Sequence, residues 1–400
     1  MTVHDIWFQG LSAPVRCVDC DDLVTGLAGY VPCWPFTVKR TVPAEYGPEV
    51  PCAVLAFNGT AWLIQSPHTT EPRIHKTQVN VICDLLSILA SALIAQSPDR
   101  LCFHAAAVEG DGGLTLFPAL RRAGKSTLSV ALMARGARLF TDDYLLVDRG
   151  PSGALIGHAT GIAARLRLPL PEGLPPEVLT FVGANPGPEN KQYRYVGGQT
   201  VAAHGMVAPI RSIVLLDRAD DGPTTLSEVP SGDVLAALAK QNFSRGLPAG
   251  EALSALITLT QTAPAVRLTY SDVGEAADLV MSGLDHLLPA PRQDVQFPHP
   301  GPHPDRSALD FMRAYQRTRF AVLYPAGDVW VGASCDGERM LQFDAIAAHV
   351  LDLLEEAISP SDLIDLLADA LPDVERSALR DTVTDLLRRF LRVGFIARAT

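Results

Sequence analysis

Positive charge is what this 400-residue chain most lacks: 33 Lys and Arg stand against 44 Asp and Glu, a formal net charge of −11. That balance argues against a nucleic-acid binder working by bulk positive charge, although it leaves room for a local basic patch. Seven cysteines are too few for a disulfide scaffold. Cys17 and Cys20 form a CxxC, with Cys33 and Cys52 beyond, but there is no second CxxC and no paired histidine motif to complete a zinc site. Long uncharged runs are also missing. The best candidate, residues 79–96, contains Asp84, and its charge-free part is too short for a bilayer, so no membrane span is expected. The first ten residues carry Asp5 and no basic cluster, which reads as no secretory signal and predicts free thiols in the cytoplasm.

What is present is apolar. Hydrophobic residues make up 48% and charged residues 19%, enough for a large core and too apolar for global disorder. The length suggests two or three domains. Residues 1–98 read as a β-rich subdomain with a closing helix, since short apolar runs at 53–57 and 61–64 precede helical spacing over 78–96. Residues 99–288 alternate β and α, with buried strands expected at 114–117, 145–147 and 213–216. Residues 289–309 are Pro-rich and read as a stiff linker. Residues 310–400 predict a hairpin over 320–331, turning at Pro325–Asp328, then amphipathic helices at 346–358, 361–371 and 377–393, with Gly394 at the last helix end.

The sharpest chemical signal is a P-loop. An apolar strand runs into Ala119-Leu120-Arg121-Arg122-Ala123-Gly124-Lys125-Ser126-Thr127, and a helical run follows. Strand, loop, Gly-Lys-Ser-Thr and helix is the context a phosphate cradle needs. Backbone N–H groups at the helix start face the anion, Lys125 can reach the β- and γ-phosphates, and Ser126 can ligate Mg²⁺. Ala119 and Arg122 stand where such loops carry glycine, and Ala119 would be strained if the backbone needs positive φ.

Asp142-Asp143 follows Lys125 by 17 positions, which leaves room for a helix and a return strand. One carboxylate can hold Mg²⁺ while the other accepts a proton from an attacking hydroxyl. His104, 21 positions before Lys125, ends a strand that could enter the same sheet. Lys191 and Arg194 lie in a polar stretch after a Gly/Pro-rich loop, and either could neutralise a transferred phosphoryl group or simply be solvated. Asp217 reads as a strand-end polar residue, and His299 and His303 as solvated linker residues.

His104, Gly124-Lys125-Ser126, Arg135-Gly136 and Asp142-Asp143 together resemble the C-terminal catalytic domain of HPr kinase/phosphorylase. The likeness is greater to the HPr-kinase-related proteins of peptide-tailoring gene clusters, lasso-peptide kinases among them. It implies an α/β P-loop kinase domain that binds ATP or GTP with Mg²⁺. It also implies that Lys125 and Ser126 hold phosphate and metal, that Asp142 is the general base with His104 nearby, and that Asp143 assists the metal. The acidic segment that follows the Asp pair in true HPr kinases is not recognisable here, where residues 162–170 read IAARLRLPL. HPr itself is therefore not the expected substrate.

Residues 319–396 resemble a PqqD-like domain, an α+β winged helix known as a precursor-peptide recognition element. A winged helix could bind DNA, but Asp352, Glu355, Glu356, Asp362, Asp365, Asp369, Asp373 and Glu375 oppose that on the first two helices. Arg388, Arg389 and Arg392 would suit an acidic peptide as well. The resemblance implies a leader peptide added as a strand to the hairpin edge, against the last helix. The combined expectation is a Ser/Thr kinase for a ribosomally made precursor peptide, with a second copy or other tailoring enzymes as further partners. A nucleotide-binding adaptor without transfer, and a small-metabolite kinase, are the competing readings.

Overall fold

The computed structural model describes residues 2–40, 50–110, 112–119, 123–150, 154–284, 308–318, 322–334 and 339–399. The expected linker, 289–309, falls almost wholly outside them. The chain divides into two compact units. The first comprises Met1–Glu228, Gln241–Gly246 and Ala263–Leu288; the second comprises Val229–Lys240, Leu247–Thr262 and Pro289–Thr400.

The first unit begins with a six-stranded sheet ordered Phe36–Arg40, Val3–Phe8, Val15–Val18, Ala53–Phe57, Trp62–Gln65 and Arg73–His75. The helix Gln78–Ala95 packs on it. Its start is set by Thr77, whose side chain accepts from the Asn80 N–H. Val79, Ile82, Leu85, Leu86, Leu89 and Leu93 bury one broad face. By length and composition this helix could cross a membrane, contrary to the expectation from its sequence. Half of that stretch is buried inside the protein, so its hydropathy serves packing here.

A nine-stranded sheet follows. Its main path runs Arg138–Thr141, Ala106–Gly110, Gly113–Phe117, Val207–Arg218, Leu155–His158, Leu145–Arg149 and Leu101–Phe103. The long strand Val207–Arg218 pairs parallel with Gly113–Phe117 and with Ala265–Tyr270, and antiparallel with Leu155–His158. Arg138–Thr141 and Leu145–Arg149 are joined by residues 142–144 alone, yet lie five places apart in the sheet. Five flat spacings would separate them by about 24 Å. Four extended residue steps span only about 14 Å. The sheet must therefore curl until its flanks meet, and Asp142 and Asp143 sit at that seam.

The second unit carries the antiparallel sheet Val322–Ala326, Val329–Ala333 and Met340–Asp344, then helices Ala345–Leu353, Pro360–Ala370 and Arg376–Val393. The hairpin and the last two helices match expectation closely, while the first helix stops at Leu353, five residues short, and Ile358 bridges to Tyr315 instead. Asp344 and Ser359 cap the first two helices through side-chain oxygens. Gly394 ends the third at φ +78°. Phe343, Phe390 and Phe395 form edge-on aromatic contacts at the core, and a Cβ at Gly332 would lie 2.7 Å from the Phe395 ring.

Two helices from the expected kinase segment, Ser231–Lys240 and Ala249–Thr262, belong to this unit. They pack on the three-stranded sheet, and Gln342 Nε2 donates to the Ala236 carbonyl at 2.8 Å. Their buried Val234, Leu235, Leu238, Leu253 and Leu256 require that cover. The expected boundary at 288 therefore cuts through one core. A chain truncated after Leu288 is expected to aggregate, because those side chains lose their apolar partner. Light scattering of the purified fragment checks this, and a monodisperse, cooperatively melting fragment would contradict it.

Candidate active site

The loop after Gly113–Phe117 leads into the helix Lys125–Ala134. Gly124 is its N-cap residue at φ +91°. A Cβ there would lie 2.3 Å from the Tyr270 hydroxyl, so glycine is required twice over. That hydroxyl donates to the Ala123 carbonyl at 3.3 Å and braces the loop. Lys125 is 8% exposed, and its ammonium donates to the Ala119 carbonyl. Ala119 does not pay the strain expected of it: Asp19 is the only non-glycine at positive φ among the described residues. Leu120, Arg121 and Arg122 lie outside the described residues.

The acidic pair sits in a turn held by Thr141, whose hydroxyl accepts from the N–H groups of Asp143 and Tyr144, both at 3.2 Å. The two carboxylates face different partners. Asp142 Oδ2 accepts from the Arg165 N–H at 2.9 Å, and its carboxylate accepts from the Ser126 hydroxyl. Burial raises the Asp142 pKa above the usual carboxylate range, and the Asp143 charge raises it further. The Arg165 N–H and charge and the Ser126 hydroxyl oppose this without cancelling it.

Asp143 points outward, with 54% of its side chain exposed, and its Oδ1 lies 3.2 Å from His104 Nε2. Partial burial works against its ionisation, but the His104 hydrogen bond and the charges of Arg165, His104 and Lys125 win, so its pKa lies below the usual range. His104 follows Leu101–Phe103, and its ring stacks on Phe243 at 5.6 Å.

Two cavities meet at these residues. One, of about 470 Å³, is lined by the loop from Ala123 to Thr127 and by Arg165, Arg167 and Arg218. The other, of about 550 Å³, extends along the helix Gln78–Ala95. Both share His104, Asp142, Asp143 and Arg165 in their walls.

The sequence candidates His104, Lys125, Ser126, Asp142 and Asp143 thus converge. Lys191 and Arg194 do not line either cavity. Arg194 is held by Glu189 and Lys191 is exposed, so the cations expected there come instead from Arg165, Arg167 and Arg218. Arg165 and Arg167 alternate along the strand Ala164–Arg167, so both side chains leave the same face. That alternation was readable in IAARLRLPL. Asp217 pairs with Thr269 in the sheet and lines neither cavity.

The donor set fits Mg²⁺, which takes one or two carboxylates together with phosphate oxygens and water. Asp142 and Ser126, already hydrogen-bonded, supply two adjacent oxygens beside the loop. The resemblance implied a metal on Ser126 and Asp143; the aspartate that the Ser126 hydroxyl acts on is Asp142.

Residues 321–396 match the family described as Coenzyme PQQ synthesis protein D (PqqD). The second unit therefore contains a PqqD domain. Among solved structures, the chain is similar to the HPr(Ser) kinase/phosphatase from Coxiella burnetii, at 14% identity and TM-score 0.23, over 45% of this chain and 91% of that one. No curated protein matches the chain.

Asp142→Asn is expected to stabilise the metal-free protein. The amide oxygen can still accept from Arg165 and Ser126, while the buried charge beside Asp143 is gone. A gain of about 2–4 °C in Tm at neutral pH corresponds to roughly 1 kcal/mol. The sign follows from the raised folded pKa: the Asp142 contribution is present below the unfolded pKa and is lost as pH rises through the folded one. The gap between variant and wild type should therefore close in acid. Calorimetry across pH checks this, and a lower Tm for the variant at neutral pH would contradict it.

Proposed function

We propose that this protein is an ATP-dependent Ser/Thr kinase for a ribosomally made precursor peptide, with the leader bound by the PqqD domain. The observation that carries the proposal is the convergence of a phosphate loop, a shielded Lys125 and an Asp143–His104 pair on one cavity system. The PqqD match supports the peptide side of the reading, since such domains recognise precursor leaders. The leader would add as a strand to an edge of the sheet Val322–Asp344.

Lys125 and the N–H groups at the helix start would hold the nucleotide phosphates, with Arg165, Arg167 and Arg218 around them. Asp142 and Ser126 would hold Mg²⁺, which supplies charge neutralisation at the phosphates when bound. Asp143, kept ionised by its cationic neighbours, would accept the proton of the acceptor hydroxyl. The hydroxyl oxygen bonds to the γ-phosphorus as the bond to the leaving ADP oxygen breaks. His104 would orient Asp143 through its Nε2 contact with Oδ1. GTP would serve the same phosphate contacts. Nothing in the site calls for nucleic acid, and the cytoplasm, where ATP and unmodified precursor coexist, is the fitting compartment.

One observation favours the adaptor alternative: Lys125 is turned onto the Ala119 carbonyl, a contact that nucleotide must replace. An adaptor would bind ATP and peptide without transfer.

Variants separate the two carboxylates. Asp143→Asn and His104→Gln are expected to lower kcat by about 10²–10⁴-fold with little change in the Mg²⁺ requirement. Asp142→Asn should instead raise the Mg²⁺ concentration needed for half-maximal rate. In the wild type that requirement should rise on acidification at pH values where an ordinary aspartate is still ionised, because the proton on Asp142 competes with the metal. Rates of ADP release against Mg²⁺ and pH test this. Equal Mg²⁺ shifts for both aspartate variants would refute the division of roles.

A further inference from the structure

None of the loop residues 123–127 lines the cavity along the helix Gln78–Ala95, and its walls differ from those of the phosphate lobe. Leu86, Ala90, Ile94, Ile162 and Ala163 make one side apolar. His104 and the two aspartates form the wall shared with the phosphate lobe. The remaining side is Phe243-Ser244-Arg245, from the segment Gln241–Gly246.

That segment is firmly placed. Phe243 N–H donates to the Cys102 carbonyl at 2.6 Å, and His104 N–H donates to the Gln241 carbonyl at 2.8 Å. Cys102 N–H donates to Ser244 Oγ at 2.9 Å. A Cβ on Gly246 would lie 2.4 Å from Pro98 Cβ, so the backbone is seated directly on its neighbour. The strand that delivers His104 therefore also fixes Phe243 and Arg245.

Two polar groups here make no hydrogen bond among the described residues. The Tyr144 hydroxyl, on a side chain more than nine-tenths buried in the cavity wall, makes no hydrogen bond. Arg245 is exposed at the cavity, and among the described residues it makes no ion pair or hydrogen bond. A volume of about 550 Å³ falls within the usual span of ligand pockets, roughly 300–1,000 Å³.

We infer that this lobe is the acceptor subsite, taking an extended hydroxyl-bearing peptide segment with an apolar residue on one side and a carboxylate that pairs with Arg245. The inference rests on the kinase reading for the hydroxyl's fate, but not for the binding preference. The apolar wall and the open guanidinium are complementary to such a segment, and the charge pairing selects it over a neutral one. Phe243 is at once part of the apolar wall and the ring that positions His104.

The test uses the full chain and short synthetic peptides carrying a fluorophore. One is capped at both ends and contains Leu-Ser-Asp. The second replaces Asp by Asn. The third keeps Asn but has a free C-terminal carboxyl, which separates a side-chain carboxylate from a chain end. Binding is read by fluorescence anisotropy with Mg²⁺ and a non-hydrolysable ATP analogue, and phosphate transfer by peptide mass with MgATP. Wild type is expected to bind at least one carboxylate-bearing peptide about tenfold more tightly than the capped Asn peptide. Arg245→Gln should abolish that preference by weakening only the carboxylate forms, while Arg245→Lys keeps most of it. Phe243→Leu should weaken all three. Equal binding of the three by wild type, no binding of any at millimolar concentration, or an Arg245→Gln loss shared by all three would overturn the inference. Preference without phosphate transfer, also when the same segment is carried on a leader-bearing precursor, would remove the kinase reading and leave the binding preference standing.

Discussion

Three residues of chain between two strands five places apart are the constraint on which the candidate site depends. A flat sheet cannot satisfy it, so the sheet curls and its seam gathers the groups that chemistry would use. Asp142 and Asp143 occupy the seam itself. His104 leaves the strand next to it, and the phosphate loop leaves the strand Gly113–Phe117 within the same sheet. Adjacent carboxylates repel one another, and the surroundings resolve this by splitting them. Asp142 turns in to Ser126 and a backbone N–H, while Asp143 turns out to His104. The two opposite pKa shifts are the electrostatic record of that split.

Much of this was legible in the residues because the determinants are local. Apolar spacing and the Thr77 cap define the helix Gln78–Ala95. Ser359 with Pro360 marks one helix start and Gly394 another helix end. Gly124-Lys125-Ser126 marks the turn from strand Gly113–Phe117 into helix Lys125–Ala134. What escaped depends on distant parts of the chain. Arg165 and Arg167 enter the cavity only because the strand Ala164–Arg167 lies beside the seam, about forty residues after the phosphate loop in sequence. Arg194 looked available because its partner Glu189 could not be assigned without the hairpin that joins their strands. Which aspartate meets Ser126 was likewise hidden, since adjacent residues of one type carry no sequence signal for that.

The allegiance of two helices was equally invisible. An amphipathic face states that a helix must be covered but not by which sheet. Ser231–Lys240 and Ala249–Thr262 interrupt the first unit in sequence, yet they complete the core of the unit that holds the PqqD domain. The six residues between them return to the first unit and carry Phe243 and Arg245. One hairpin of chain thus contributes to the second unit through its helices and to the candidate active site through its turn.

The account stands or falls on phosphoryl transfer. The deciding measurement follows label from γ-³²P-ATP, with Mg²⁺ and the full chain, into a precursor peptide encoded beside this protein, with and without its leader. The account predicts stoichiometric label on a Ser or Thr of the core, much faster when the leader is present. Tight binding of both nucleotide and leader with no label on the peptide would contradict it and make the protein an adaptor.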